Sequence, residues 1–244
     1  MKESQLLYGI RPVIEALRND IDIEKVFIQS SLRGGLLEEL KDALRGKNVI
    51  IQYVPVEKLD RLTRNNHQGV VALMPMIKYF DFETIVTELL EADEKTFIFM
   101  LDRVTDVRNL GAISRSAECS GVNAIIIPQH GSAQINEDAI KTSAGALLTV
   151  PICREANLKT TINIAKELGI KVYASTEKGA ELYTDVDLTE NIMIVMGAED
   201  TGVSPEIIKL CDGKIKIPIK GSIESLNVSV AAGVIMYEVV KQRG

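Results

Sequence analysis

From Thr96 onward, short apolar strands alternate with helical stretches, and that alternation constrains the fold more than any other feature of the chain. Residues 96–101, 124–127, 171–175, 192–196 and 214–218 read as strands. Residues 112–119, 157–168 and 226–241 read as helices. Parallel neighbours need long crossover connections, so strands separated by helices predict a parallel α/β sheet covered on both faces.

Residues 1–76 carry a smaller alternation of the same kind. Ile10, Val13, Ile14 and Leu17 fall at helical spacing. Residues 25–29 read as a strand, 36–44 as a helix, 48–54 as a strand, 56–62 as a short helix and 69–74 as a strand ended by Pro75. Together they predict a separate α/β/α domain. Residues 77–95 read as a linker with one short helix at 82–91, and residues 96–244 as the second domain.

Charge divides along the same line. Residues 1–78 hold 12 Lys+Arg against 10 Asp+Glu, and the remainder holds 16 against 24, in a chain of net charge −6. The two parts are therefore expected to meet different partners. With no Trp and 5% aromatic residues, base stacking cannot be the main binding mode. No apolar run approaches the roughly 20 residues of a membrane span, so no membrane partner is expected. The acid at Glu3 and the lack of an apolar stretch after it argue against a signal peptide. Cys119, Cys153 and Cys211 are far apart, and no metal-ligand spacing occurs, so the expectation is a cytoplasmic protein without a metal.

In open parallel sheets, ligands bind beyond the carboxyl ends of the strands. Three polar or glycine-containing segments fall there: 102–115, 197–205 and 218–227. In the first, a helix is expected to start near Asn109–Gly111 with Asn109 as its cap, and Arg115 follows nearly two turns on. The second, Gly197-Ala198-Glu199-Asp200-Thr201-Gly202, is not a P-loop, and G-x-G-x-x-G is absent from the chain. Its acids suit a cationic or hydroxyl-bearing ligand. The third turns through Gly221-Ser222 into a helix of small residues with Ser225 and Asn227 at its start. Taken singly, each segment also reads as an ordinary capped helix or βα turn. His67 and His130 are isolated, and Tyr8, His67 and Gln68 read equally well as RNA contacts or as plain surface residues.

Together, in order and spacing, the three segments resemble the signature motifs of the SpoU (TrmH-like) branch of the SPOUT RNA methyltransferases. Asn109 and Arg115 match the first motif, Gly197-Ala198-Glu199 the second and Ser225-Leu226-Asn227 the third. Tyr8-Gly9-Ile10, Glu15-Ala16-Leu17 and His67-Gln68-Gly69-Val70 resemble the family's amino-terminal substrate-binding domain, which is similar to ribosomal protein L30e.

The resemblance implies S-adenosylmethionine as methyl donor, with the backbone at Gly197, Ile217 and Leu226 holding it. It implies a carboxyl-terminal trefoil knot, an exception to the usual un-knotted rule. It also implies a homodimer through the carboxyl-terminal domain. The implied acceptor is the 2′-hydroxyl of a guanosine in 23S ribosomal RNA, with transfer RNA as the alternative. Arg115 is implied in activating that hydroxyl, either as a base or as a cationic clamp. Glu199 would orient Asn109 or Arg115, or take the proton; Ser225 and Asn227 would hold phosphate or ribose. Many relatives carry Gly where this chain has Asp200. Two rivals stand beside this reading: a non-catalytic RNA-binding protein on the same fold, and an α/β enzyme of small molecules.

Overall fold

The computed structural model describes residues 6–178, 181–222 and 225–244. The segment read against a signal peptide, and positions 223–224 of the third motif, lie outside them. The chain divides into two units, 1–78 and 79–244.

The first unit runs β1 (Leu6–Tyr8), α1 (Ile10–Arg18), β2 (Lys25–Gln29), α2 (Gly35–Leu44), β3 (Ile50–Val54), α3 (Val56–Leu62) and β4 (Val70–Leu73). Its sheet order is β1-β4-β2-β3, with β2 and β3 parallel and the other pairs antiparallel. Val26 and Ile28 on one face of β2 pack with Val13, Leu17 and Leu40 from α1 and α2. Phe27 on the other face packs with Leu59 of α3. That is the period-2 logic of a strand covered on both sides.

Tyr8-Gly9 and His67-Gln68-Gly69 meet at one end of this sheet. The Gly9 amide donates to the Val70 carbonyl at 3.0 Å. Gly9 and Gly69 have φ of 95° and 79°, where a side chain would be strained. His67 has a structural job: its Nδ1 accepts from the Gly69 amide at 3.0 Å, leaving Nε2 to donate to Asp60 Oδ1 at 3.0 Å.

The second unit contains β5 (Tyr79–Phe80), α4 (Phe82–Glu91), β6 (Phe97–Leu101), α5 (Val107–Cys119), β7 (Ala124–Pro128), α6 (Glu137–Thr142), β8 (Ile152–Glu155), α7 (Leu158–Glu167), β9 (Lys171–Ser175), β10 (Glu181–Leu182), β11 (Ile192–Met196), α8 (Pro205–Ile208), β12 (Gly213–Lys216) and α9 (Val228–Arg243). Its sheet order is β10-β12-β9-β11-β6-β7-β8-β5, and every pair is parallel. The central strands β6 and β11 are buried at every position, as an all-parallel sheet requires.

The stretch expected as a linker does more than join. β5 pairs with β8, and Phe82 and Val86 of α4 enter the second unit's core beside Met100 and Ile126. Burying those two side chains stabilises by about 1.5–3 kcal/mol each, enough to commit the segment to the sheet. A two-residue edge strand is too short to show in the pattern.

The first motif also differs in detail. α5 begins at Val107, earlier than expected, and Asp106 caps it by accepting from the Arg108 and Asn109 amides at 2.8 Å each. Asn109 is therefore inside the first turn, with its side chain released from capping. Close packing of α5 on α6 demands Gly111, where a Cβ would lie 2.7 Å from Thr142 Cβ. Gly233 of α9 is not so crowded: a Cβ there would meet only Ser116 Oγ at 3.7 Å.

Candidate active site

β6 and β11 are neighbours, so the loops beyond Leu101 and Met196 leave the same edge of the sheet side by side. α9 begins next to them. This places three residues from distant parts of the sequence in one hydrogen-bonded triangle. Asn227 Nδ2 donates to Asn109 Oδ1 at 3.0 Å and to Glu199 Oε1 at 3.3 Å. Asn109 Nδ2 donates to Glu199 Oε2 at 3.2 Å. Asn227 is also the cap of α9, its Oδ1 accepting from the Ser229 amide at 3.0 Å and from Ser229 Oγ at 2.6 Å.

An inventory of donors separates the members. Both N–H groups of the Asn227 amide are used, and so is its oxygen. Among the described residues its donors and acceptor are all engaged within the triangle and the cap. Among the same residues, Asn109 keeps one amide N–H without a partner, available to a ligand. Glu199 contacts the two asparagines and not Arg115.

Two cavities, each about 400 Å³, adjoin the triangle. That is within the roughly 300–1,000 Å³ of small-molecule sites. The first is walled by apolar Met196, Val203, Ile217, Ile219 and Leu226, with Ser225 and the acids Glu177, Glu199 and Asp200 at its polar side. The second is lined by Arg103, Thr105, Asp106 and Asn109. Ala198, Glu199, Asp200 and Val228 line both, so the 198–200 loop is a wall between them.

The loop is tightly folded. The Gly202 amide donates to the Ala198 carbonyl at 2.8 Å, and a Cβ on Gly197 would sit 1.9 Å from Gly202 C. Gly197 is thus required by the loop's own closure. Two residues that the sequence did not single out hold it from outside. Asp102, 5% exposed, accepts from the Ser204 amide at 2.7 Å and from Arg103 Nε at 3.3 Å. Arg103 Nη2 donates to the Gly202 carbonyl at 3.1 Å. The only sequence sign was their position directly after a buried strand.

Arg115 stands apart from the triangle. It is exposed on α5 and makes no hydrogen bond or ion pair among the described residues. Ser225 joins the first cavity but not the triangle. The buried Cys153 and half-buried Cys211 are poor candidates for nucleophiles: desolvation first, then nearby acids, pushes both thiols up to about 12. Among the described residues no group of three His, Cys, Asp or Glu could hold a metal ion, and no helix is long and apolar enough to cross a membrane.

The chain is similar to known proteins in sequence and fold. The SpoU rRNA methylase family matches residues 96–237, and the RNA 2′-O ribose methyltransferase substrate-binding family matches residues 6–80. A Staphylococcus saprophyticus protein assigned to the TrmH family of tRNA/rRNA methyltransferases is 34% identical over 241 residues, covering 99% of this chain and 97% of its own. The SpoU methyltransferase AviRb from Streptomyces viridochromogenes, solved in complex with AdoMet, superposes with a TM-score of 0.61 at 25% identity, covering 98% of this chain and 89% of that one. The A. aeolicus TrmH/SpoU tRNA modifying enzyme superposes with a TM-score of 0.56 at 32% identity, over 66% of this chain and 84% of that one.

A substrate-binding unit joined to a parallel-sheet unit with this site defines an RNA methyltransferase. The chain belongs to the SpoU (TrmH-like) family.

Proposed function

We propose that the protein transfers a methyl group from S-adenosylmethionine to the ribose 2′-hydroxyl of a guanosine in 23S ribosomal RNA, acting as a cytoplasmic homodimer. The observation that carries this reading is the Asn109–Glu199–Asn227 triangle at the wall between two cavities. The first cavity suits the donor. Its apolar wall fits an adenine ring, and its three acids, which outnumber the one cation Lys178, fit a ligand with a positive sulfonium and a positive amino group. Gly197, Ile217 and Leu226 line it together and would hold the donor there. When bound, the donor supplies an electrophilic methyl group.

The protein's own residues then have distinct tasks. Glu199 and Asn227 fix the Asn109 amide, whose remaining N–H faces the acceptor side of the wall. Holding the reacting oxygen in line with the methyl group is where most of the acceleration arises. Arg115, permanently charged, clamps phosphate and stabilises the developing alkoxide, while the hydroxyl proton passes to Glu199 or to water and the donor would be left as a neutral thioether. Arg115 lies nearly two turns along α5 from Asn109, outside the triangle.

The dimer is supported by α9, which from Val228 to Val240 is apolar on both its inner and its outer face apart from Ser229 and the buried Glu238. Ala232, Ile235, Met236 and Val239 face the unit's interior, while Val230, Tyr237 and Val240 are exposed by 52%, 55% and 38%. A helix apolar on both sides is built to be covered on both sides. The first unit captures RNA through its Tyr8 and Gln68 end, and the family match over 6–80 supports that task. The carboxyl-terminal knot belongs to the same proposal.

Transfer RNA is the second acceptor reading, favoured by the match to the A. aeolicus tRNA modifying enzyme. Mapping 2′-O-methyl sites in both RNAs, in cells with and without the gene, tests the assignment. Loss of one 23S guanosine signal supports it. Loss confined to transfer RNA replaces the acceptor, and no loss in either overturns the reading.

A further inference from the structure

We propose that Asp102 and Arg103 form a latch that positions the 197–204 loop, and through it the donor cavity, for methyl transfer. The inference rests on the methyltransferase reading above. Three observations carry it. Arg103 holds a φ of 61°, a left-handed conformation that a long side chain rarely adopts. A residue persists there only when its surroundings over-determine it, and such positions cluster at functional sites. The side chain it displays crosses to the Gly202 carbonyl, 99 residues away in sequence, at 3.1 Å. Asp102, buried to 5% exposure, completes the bridge from the other side by accepting from the Ser204 amide.

The latch therefore grips the loop at two successive points, Gly202 and Ser204, from the end of the neighbouring strand. Asp102 is itself tied to that strand pair, since its amide donates to the Met196 carbonyl at 2.8 Å. The gripped loop carries Gly197 and Glu199, the first lining the donor cavity and the second orienting Asn109. Neither Asp102 nor Arg103 lines the donor cavity, so both act through the loop and are positioning residues. The arginine geometry is specific: Nε reaches Asp102 while Nη2 reaches Gly202, which a single ammonium cannot do.

Arg103 also lines the second cavity, which gives a rival role as a direct phosphate contact for RNA. The test separates the two. Arg103→Gly suits the φ of the position, so the fold is retained and Tm stays within about 4 °C of the parent. Calorimetry with S-adenosylhomocysteine is expected to show about tenfold weaker binding, with RNA affinity unchanged. Arg103→Lys does not restore it. Hydrogen exchange at the Ser204 amide quickens in both Arg103→Gly and Asp102→Asn. The double variant weakens cofactor binding no more than about as much as one alone, because the two residues act as a unit.

Unchanged cofactor affinity in Arg103→Gly, with the parent binding normally, overturns the latch and leaves the function reading intact. Weakened RNA binding, restored by Arg103→Lys and with cofactor affinity unchanged, replaces it with the phosphate contact. A parent that binds no S-adenosylhomocysteine overturns the function reading and the latch together.

Discussion

Asn227 and Asn109, 118 residues apart in sequence, share a 3.0 Å hydrogen bond in which the Asn227 amide donates. The same Asn227 side chain caps α9 through its oxygen. One residue thus ties the start of a helix to the site, and its two ends can be tested separately. Asn227→Asp keeps the cap, so stability is retained, but it removes both amide donors and places a second carboxylate beside Glu199. Methyl transfer in single-turnover assays should fall by 10²-fold or more. Asn227→Ala should also cost about 1 kcal/mol of stability in urea melts. An active Asn227→Asp variant would remove the triangle from the mechanism.

Arg115→Ala should abolish methyl transfer, by on the order of 10²–10³ in rate, while cofactor titration stays near the parent's. Arg115→Lys should not rescue it, because a point charge cannot reproduce a planar fork. Activity within about tenfold of the parent would strike Arg115 from the site.

A fragment from Lys78 onward should keep cofactor binding and lose most RNA affinity. The starting point follows from β5, which belongs to the second unit's sheet. In the whole protein, RNA affinity should fall steeply with salt as phosphate contacts release counterions. If the fragment methylates full-length ribosomal RNA as well as the whole protein does, capture is misassigned.

Tyr237, more than half exposed at the centre of α9's outer face, is the place to test subunit pairing. Tyr237→Glu should yield a folded monomer by light scattering, with methyl transfer lost and the monomer's own thermal transition still cooperative. A parent that is monomeric at micromolar concentration and fully active would refute pairing through α9.

The thiols offer a pH test. Cys153 and Cys211 stand at about 12 against an ordinary 9.0, chiefly through burial. At pH 8 only about one thiol in 10⁴ of either is thiolate. Iodoacetamide on the native protein should therefore label exposed Cys119 and spare the other two. A raised folded pKa stabilises fully below the unfolded value and is lost as pH climbs through the folded one. Stability to urea should thus decline between about pH 9 and 12, and replacing Cys153 with Ala should flatten part of that decline. Equal labelling of all three thiols would contradict the burial.

Much of this was legible because burial leaves a pattern. The runs at 97–101 and 192–196 announced central parallel strands, and the helix at 82–91 was visible from Phe82 and Val86 recurring four apart. The site residues were legible only as three segments sharing one end of a sheet. Their partners were not. Which residue caps α5 depends on where the chain leaves β6, and that is set by Asp102 bonding across to residues 196 and 204. β8 and α6 were missed for a similar reason: Ile152–Glu155 is half polar, and six-residue α6 is fixed by packing on Gly111 more than by its own periodicity. The latch was invisible because Arg103 breaks the local rule that a left-handed position prefers glycine.

A wall shared by two chambers can occupy only one position at a time. Residues 198–200 bound both cavities, so a displacement of them on one side changes the shape of the other. If filling one chamber shifts these residues, the effect is reciprocal: under the proposed reading, donor and RNA would change each other's affinity by the same factor.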